Sequence, residues 1–320
     1  MDELLAVLKA LAEPTRLRLL VLLSRCELTV TELTHVLEQS QPRISRHLRL
    51  LLEAGLLERS PEGPWAFYRL AANGKAAAIA EAVLKAVDPN GEPFAADARR
   101  LEAVRRRRAA QAARYFRENA ARWDRIRRLY AGEETVERAM LEAVGPGPVG
   151  VLVDLGTGTG RILEVFAPRV ERAVGIDQSH EMLTIARAKL DEIKAAHCQV
   201  RRGDVYNVPL PDALADVVTL HHVLHFLDDP AAAVREAARL LRPNGRLLIV
   251  DFAPHRLEFL RDHFQHRRLG FGDEEIVRWC EAAGLRFMQV RRFEARGRGK
   301  KLTACLWCAA KPAVRRRAVA

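Results

Sequence analysis

No apolar run in the 320 residues approaches the length of a membrane span, and aromatic residues make up only 6% of the chain. A spanning helix needs about 20 consecutive apolar residues. No membrane partner is therefore expected, and the 49% hydrophobic content suits ordinary soluble cores. Cysteine is sparse too: five residues, an odd number scattered along the chain, point to reduced thiols and a cytoplasmic location rather than a disulfide framework. The opening MDELLAVLKALAE is acidic and amphipathic, unlike a secretory leader. Basic residues are what the chain has in excess. Its net charge of +11 suggests an anionic partner, and its length suits two domains.

The most informative stretch is VLVDLGTGTGR, Val151 to Arg161: an apolar run ending in an acid, then glycines at alternate positions, Gly156, Gly158 and Gly160. It reads as strand, tight turn and helix start, with backbone N–H groups free for a ligand. The dinucleotide fingerprint G-x-G-x-x-G fails here because its third glycine position is Arg161. Further acids follow at successive strand ends, Asp177 in AVGIDQS and Asp204 in VRRGDVYNVPL; a fourth strand (ADVVTLHHVLHF) and, after a Pro-Asn-Gly turn, a fifth (GRLLIVDF) come next. A carboxylate such as Asp177 suits a ribose diol. In order and spacing this resembles the class I S-adenosylmethionine (SAM) methyltransferases, over roughly Ala113 to Pro312. The resemblance implies a Rossmann-like seven-stranded α/β sheet and SAM as cofactor, with S-adenosylhomocysteine as product. It also implies a cofactor site of Asp154, Gly156, Thr157, Gly158, Gly160, Asp177, Gln178, Met182, Gly203, Asp204, Val205 and His221.

Residues 1–88 carry an independent pattern. Leucines at helical spacing in LLAVLKALAEPTRLRLLVLLS precede a short helix (TVTELTHVL), a turn, and SQPRISRHLRLLLEAGLL, with Ser40 as candidate N-cap, Pro42 in the first turn and Gly55 past the end. LLERSPEGPWAFYRLA then reads as strand, turn, strand. Ile44, Leu48 and Leu51 or Leu52 fall on one face of the longer helix, and Ser40, Gln41, Arg43, Ser45, Arg46 and Arg49 point away, an inventory suited to a major groove. Arg59 and Arg69 flank the wing. This segment resembles the ArsR/SmtB family of winged-helix repressors, an α+β domain. The resemblance implies homodimerisation through residues 2–11 and 75–87 and a palindromic double-stranded DNA operator.

Metal ligands are missing where that family carries them. Thr29 and Thr31 occupy the places of the arsenic-type cysteine pair, and KAAAIAEAVLKAV lacks the histidines and acids of zinc sensors. No metal is expected. Residues 89–112 read as an Arg-rich helical linker whose Arg105 to Arg108 form a solvated face, with phosphate contact as the alternative; residues 113–312 form the methyltransferase domain, starting with a cap helix, and 313–320 a flexible tail.

The methyl acceptor would approach over the end of the fourth strand, where His221, His222 and His225 are the available bases. Tyr115, Trp123, His255, His263 and Arg267 are candidates for the acceptor pocket, the last three from a His- and Arg-rich insertion that suits an anionic small molecule. The Asn/Asp-Pro-Pro-aromatic motif of amino-methylating DNA enzymes is absent. The first expectation is an ArsR-type regulator fused to an enzyme that methylates a small molecule. The alternative is a repressor whose second domain senses SAM or S-adenosylhomocysteine without turnover.

Overall fold

Two units emerge from the contacts of the chain: Met1–Ala112 with Arg187–Ala196, and Ala113–Ala186 with His197–Ala320. The computed structural model describes residues 2–62, 65–71, 74–89, 91–127, 132–294 and 302–313; of these, the side chains of 2, 3, 111–113, 115–127 and 263 are not described.

The first unit contains α1 (Asp2–Leu11), α2 (Pro14–Leu23), β1 (Leu28–Thr29), α3 (Val30–Leu37), α4 (Gln41–Glu53), β2 (Leu57–Glu62), β3 (Trp65–Leu70), α5 (Lys75–Ala86) and the first half of α6 (Phe94–Arg127). Local chemistry starts its helices. Pro14 presets the first turn of α2 while the Glu13 carboxylate accepts the Arg16 N–H at 2.8 Å. At α3, Thr29 and Glu32 cap each other reciprocally. Ser40 is the N-cap of α4 by position, although its hydroxyl makes no capping bond, and Gly55 follows the helix with φ +69°. Leu19, Leu20, Leu33, Ile44, Leu48 and Leu51 fill one core, and β3 pairs antiparallel with both β1 and β2 to complete a winged helix.

Arginine is not all solvated here. Arg108 is buried: Nε and Nη2 donate to the two Glu32 carboxylate oxygens at 3.0 Å, and Nη1 donates to Asp191 at 2.9 Å. Only Arg106 and Arg107 of the run behave as a solvated face, because a helical period turns one residue in four inward. Arg187 is buried likewise between Glu27 at 2.6 Å and Glu62 at 2.5 Å, its guanidinium 3.5 Å from the Phe67 ring centroid. Arg69, expected to flank the wing, is instead buried on β3 and paired with Glu58.

The second unit comprises the rest of α6, α7 (Glu133–Val144), β4 (Val149–Leu155), α8 (Arg161–Phe166), β5 (Val170–Asp177), the start of α9 (His180–Glu192), β6 (Cys198–Arg202), β7 (Ala215–His221), α10 (Pro230–Leu240), β8 (Leu241–Phe252), α11 (Phe259–Phe264), α12 (Asp273–Ala282), β9 (Arg286–Glu294) and β10 (Thr303–Ala310). The seven strands lie in the order β6-β5-β4-β7-β8-β10-β9, with β10 antiparallel to both neighbours. Their apolar runs are continuous because the parallel strands are covered on both faces. Pro243 to Gly245, expected as a turn before the fifth strand, is a bulge within β8: Ala215 pairs with Leu241 but Val217 with Arg246. Cys305 and Cys308 are buried on β10, where burial pushes their thiols up, Cys305 to about 11.

Replacing Arg108 by Met leaves Glu32 and Asp191 without their buried partner and is expected to cost about 3–5 kcal/mol. Arg107→Met should change stability by no more than about 0.5 kcal/mol. Urea unfolding of the two variants checks this; equal midpoints would remove the buried ion pair from the account of stability.

Candidate cofactor and acceptor site

In the second unit the chain runs β4, β5, β6 to one side of the sheet and then returns to place β7 and β8 on the other. This leaves a switch point beyond the carboxyl ends of β4, β5 and β7. Asp154 ends β4 there and lies opposite Thr219 on β7 and Gly175 on β5. Its carboxylate is 1% exposed and accepts the Thr219 hydroxyl at 2.5 Å. Burial pushes the Asp154 carboxyl up to about 6 despite that bond. Asp154 therefore sits inside the sheet, beneath the loop.

The loop needs its glycines for two different reasons. A Cβ on Gly156, at φ +72°, would come within 2.3 Å of Val223, whereas Gly158, at φ +52°, has nothing within 4 Å of that position. The first packs the turn onto the chain; the second leaves the space a ligand would fill. The Gly156 and Thr157 N–H groups donate to the Ile176 carbonyl, and that of Gly158 donates to Asp177 at 2.8 Å. Asp177 also accepts from Ser179 N–H at 2.9 Å, so its orientation at the end of β5 is set by the backbone. Gly160 starts α8, Gln178 is exposed, and Met182 is half-buried. Gly203 donates to the Asp177 carbonyl at 3.0 Å, the exposed Asp204 accepts from the Tyr206 N–H, and Val205 is buried beside them. Strand ends thus bring Asp177, Asp204, the open face of Gly158 and the half-buried His221 to one rim, a cradle that fits SAM.

Across β7 lies a group of rings. His222 has the left-handed φ of +53°, and its N–H donates to Val250 at 2.8 Å. His225, 3% exposed, approaches the fully buried Asp251 at 2.8 Å through Nδ1. His266, also 3% exposed, stacks on His225 at 4.0 Å between centroids, and Phe252 packs 4.7 Å from His222. Burial pushes His221 down to about 4 and His266 to about 3. The Asp251 carboxyl is held below its usual range by His225, against the opposing effect of burial. The donor atoms of His222, His225 and Asp251 all lie within 4.8 Å of one another.

Asp251 and His266 carry more of this site than the sequence suggested. The strand-end position that singled out Asp154, Asp177 and Asp204 applies equally to Asp251. His255 is half-buried, its Nδ1 accepting from Leu257 N–H at 3.3 Å. Arg267 is exposed and paired with Asp228, so its charge is already met on the surface. The side chains of Tyr115, Trp123 and His263 lie outside the described residues. In the first unit Ser40, Gln41, Arg43, Ser45, Arg46 and Arg49 are all exposed on one side of α4; a glutamate approaches one of them, Glu53 at 3.9 Å from Arg49.

The raised Asp154 carboxyl has a pH consequence. Between its ordinary value of 3.8 and about 6 the folded protein holds a proton that the unfolded chain has lost, so this group's contribution to stability falls as pH rises through that window. A sulfonium cation bound over the glycine loop would favour the carboxylate. SAM affinity should therefore climb as pH rises to about 6 and then level, with a weaker slope for S-adenosylhomocysteine, which lacks the charge. Calorimetric titration across this range checks it, and an unchanged slope in Asp154→Asn would assign the dependence to another group.

The comparisons with known proteins follow the same division. Residues 13–59 match the model of the bacterial regulatory protein, arsR family, and residues 153–249 that of a methyltransferase domain. The arsenic resistance transcriptional regulator ArsR1 of Pseudomonas putida is 48% identical over 97 residues, 30% of this chain and 74% of its own length. The uncharacterized methyltransferase YcgJ of Bacillus subtilis is 34% identical over 104 residues, 32% of this chain and 41% of its own length. Geranyl diphosphate methyltransferase, solved with GPP and sinefungin, shares the fold at a TM-score of 0.50 and 18% identity, covering 56% of this chain and 77% of that one. A winged helix with an ArsR-type sequence and a seven-stranded sheet with a methyltransferase sequence lie in one chain, which belongs to the arsR family through its first part and carries a class I methyltransferase domain in its second.

Proposed function

We propose that the chain is a DNA-binding regulator whose methyltransferase domain reports the level of SAM or S-adenosylhomocysteine. One contrast carries this reading. The cofactor acids Asp177 and Asp204 stand at an accessible rim, while the rings of His225, Phe252 and His266, where an acceptor would approach, are buried against one another. A sensor needs the first feature and has no use for an open acceptor pocket. SAM bound at the rim would be held by Asp177 at the ribose and by Asp204 with the Val205 N–H at the adenine, with the glycine loop around its methionine half.

On the DNA side, Arg43, Arg46 and Arg49 would meet phosphates or guanine edges, and Gln41 an adenine, with Ser40 and Ser45 adding hydrogen bonds. Leu4, Leu5 and Leu8 are exposed along α1, an apolar stripe suited to a second copy of the chain and hence to a palindromic operator. A ligand shifts operator affinity only if it binds the two states of the dimer unequally.

Turnover on a small acceptor is the second reading. The His225–Asp251 pair favours it, since a carboxylate on Nδ1 orients an imidazole as a base. When bound, SAM would supply an electrophilic methyl group, and His225 would take the acceptor's proton.

Fluorescence anisotropy with a palindromic promoter fragment tests the first reading. SAM or S-adenosylhomocysteine should change operator affinity by about 5–150-fold, and Arg46→Ala should weaken binding by about 1–3 kcal/mol with a shallower salt dependence. Operator affinity that is indifferent to both ligands, together with methyl transfer to an acceptor panel that His225→Gln abolishes, would reverse the order of the two readings.

A further inference from the structure

Asp251 is a buried carboxylate with an unusual set of neighbours. Its oxygens accept from the His225 ring, the His225 N–H and the Phe252 N–H, and among the described residues no lysine or arginine pairs with it. A charge in such a place is ordinarily paired or bound to a metal. Imidazoles and the Phe252 ring stand around it: His222 and His225 have donor atoms within 4.8 Å, His266 stacks on His225, and His255 lies near Phe252. Two further nitrogens, His266 Nδ1 and His255 Nε2, are buried with no hydrogen-bond partner among the described residues.

We propose that His222, His225 and Asp251 form a binding site for one divalent first-row transition-metal ion of the zinc type. Two imidazoles and a carboxylate are borderline nitrogen and oxygen donors, which suit zinc, cobalt or iron(II) rather than calcium or a soft monovalent ion. Bonds of about 2.0–2.2 Å set neighbouring donors roughly 3.4 Å apart. The present spread of 4.8 Å closes to that by side-chain adjustments of about 1 Å. Three protein ligands leave a fourth position open to water. The dication would balance Asp251, and it would take His225 out of any acid–base role. The inference stands apart from the cofactor reading, since none of these three side chains is needed to hold SAM.

The test uses the full chain, stripped with a chelator and dialysed. Titrated with cobalt(II) chloride, it should develop the visible d–d absorption of a nitrogen- and oxygen-ligated ion, and after dialysis against zinc it should retain about one ion per chain by mass spectrometry. Asp251→Asn and His222→Asn should each weaken cobalt binding at least about tenfold, while His35→Asn, at an exposed position on α3, leaves it unchanged. Asparagine at 222 tolerates the left-handed backbone, so this variant keeps its fold if the first does not. Circular dichroism verifies that. A wild-type chain that retains no ion, or His222→Asn binding cobalt as tightly as wild type, overturns the proposal.

Discussion

Burial of the Asp154 carboxylate at the junction of three parallel strands is the constraint on which the rest of the second unit depends. The acid can stay there because Thr219, directly across on β7, donates to it. That pairing fixes where β7 ends relative to β4, and so where His221 and His222 turn out of the sheet. Gly156 has to let Val223 pass close to the loop for the same reason. The loop, the adjacent strand end and the histidine corner are therefore one assembly, held at one register.

The corner beyond that assembly explains why two readings of the domain compete. Methyl transfer to an acceptor that must lose a proton requires a base that the acceptor can reach. His225 has the orienting carboxylate such a base needs, yet it lies beneath His266 with only 3% of its surface exposed. A domain that only binds cofactor is free to fill this space with its own rings. The same crowding concentrates nitrogen donors around a carboxylate that has no lysine or arginine partner among the described residues, the arrangement from which the metal site is proposed.

The first unit makes a parallel point about charge. The sequence offers arginines in abundance, and composition alone spreads them over the surface. In the fold they divide into two populations. Arg43, Arg46 and Arg49 are exposed on α4, while Arg108 and Arg187 are drawn inside by Glu27, Glu32, Glu62 and Asp191. The net positive charge therefore overstates the exposed basic surface, of which the arginines of α4 are a part.

Local pattern was enough to read the winged helix, the succession of strands along the chain, the glycine loop and the strand-end positions of Asp154, Asp177 and Asp204. Each is written over a few consecutive residues: helical or strand period, capping residues, glycine where φ is positive, an acid at a strand end. Contacts between distant segments were not legible in this way. That Asp251 meets His225, that His266 reaches back from the insertion to stack on it, that Arg267 is taken up by Asp228, and that Arg108 faces inward depend on side chains 26 to 83 residues apart. Sequence alone determined the elements and the glycine loop, because backbone preference and periodicity act over one or two turns. Only the tertiary structure decided which charges and imidazoles are buried together, because burial is set by what packs from elsewhere in the chain.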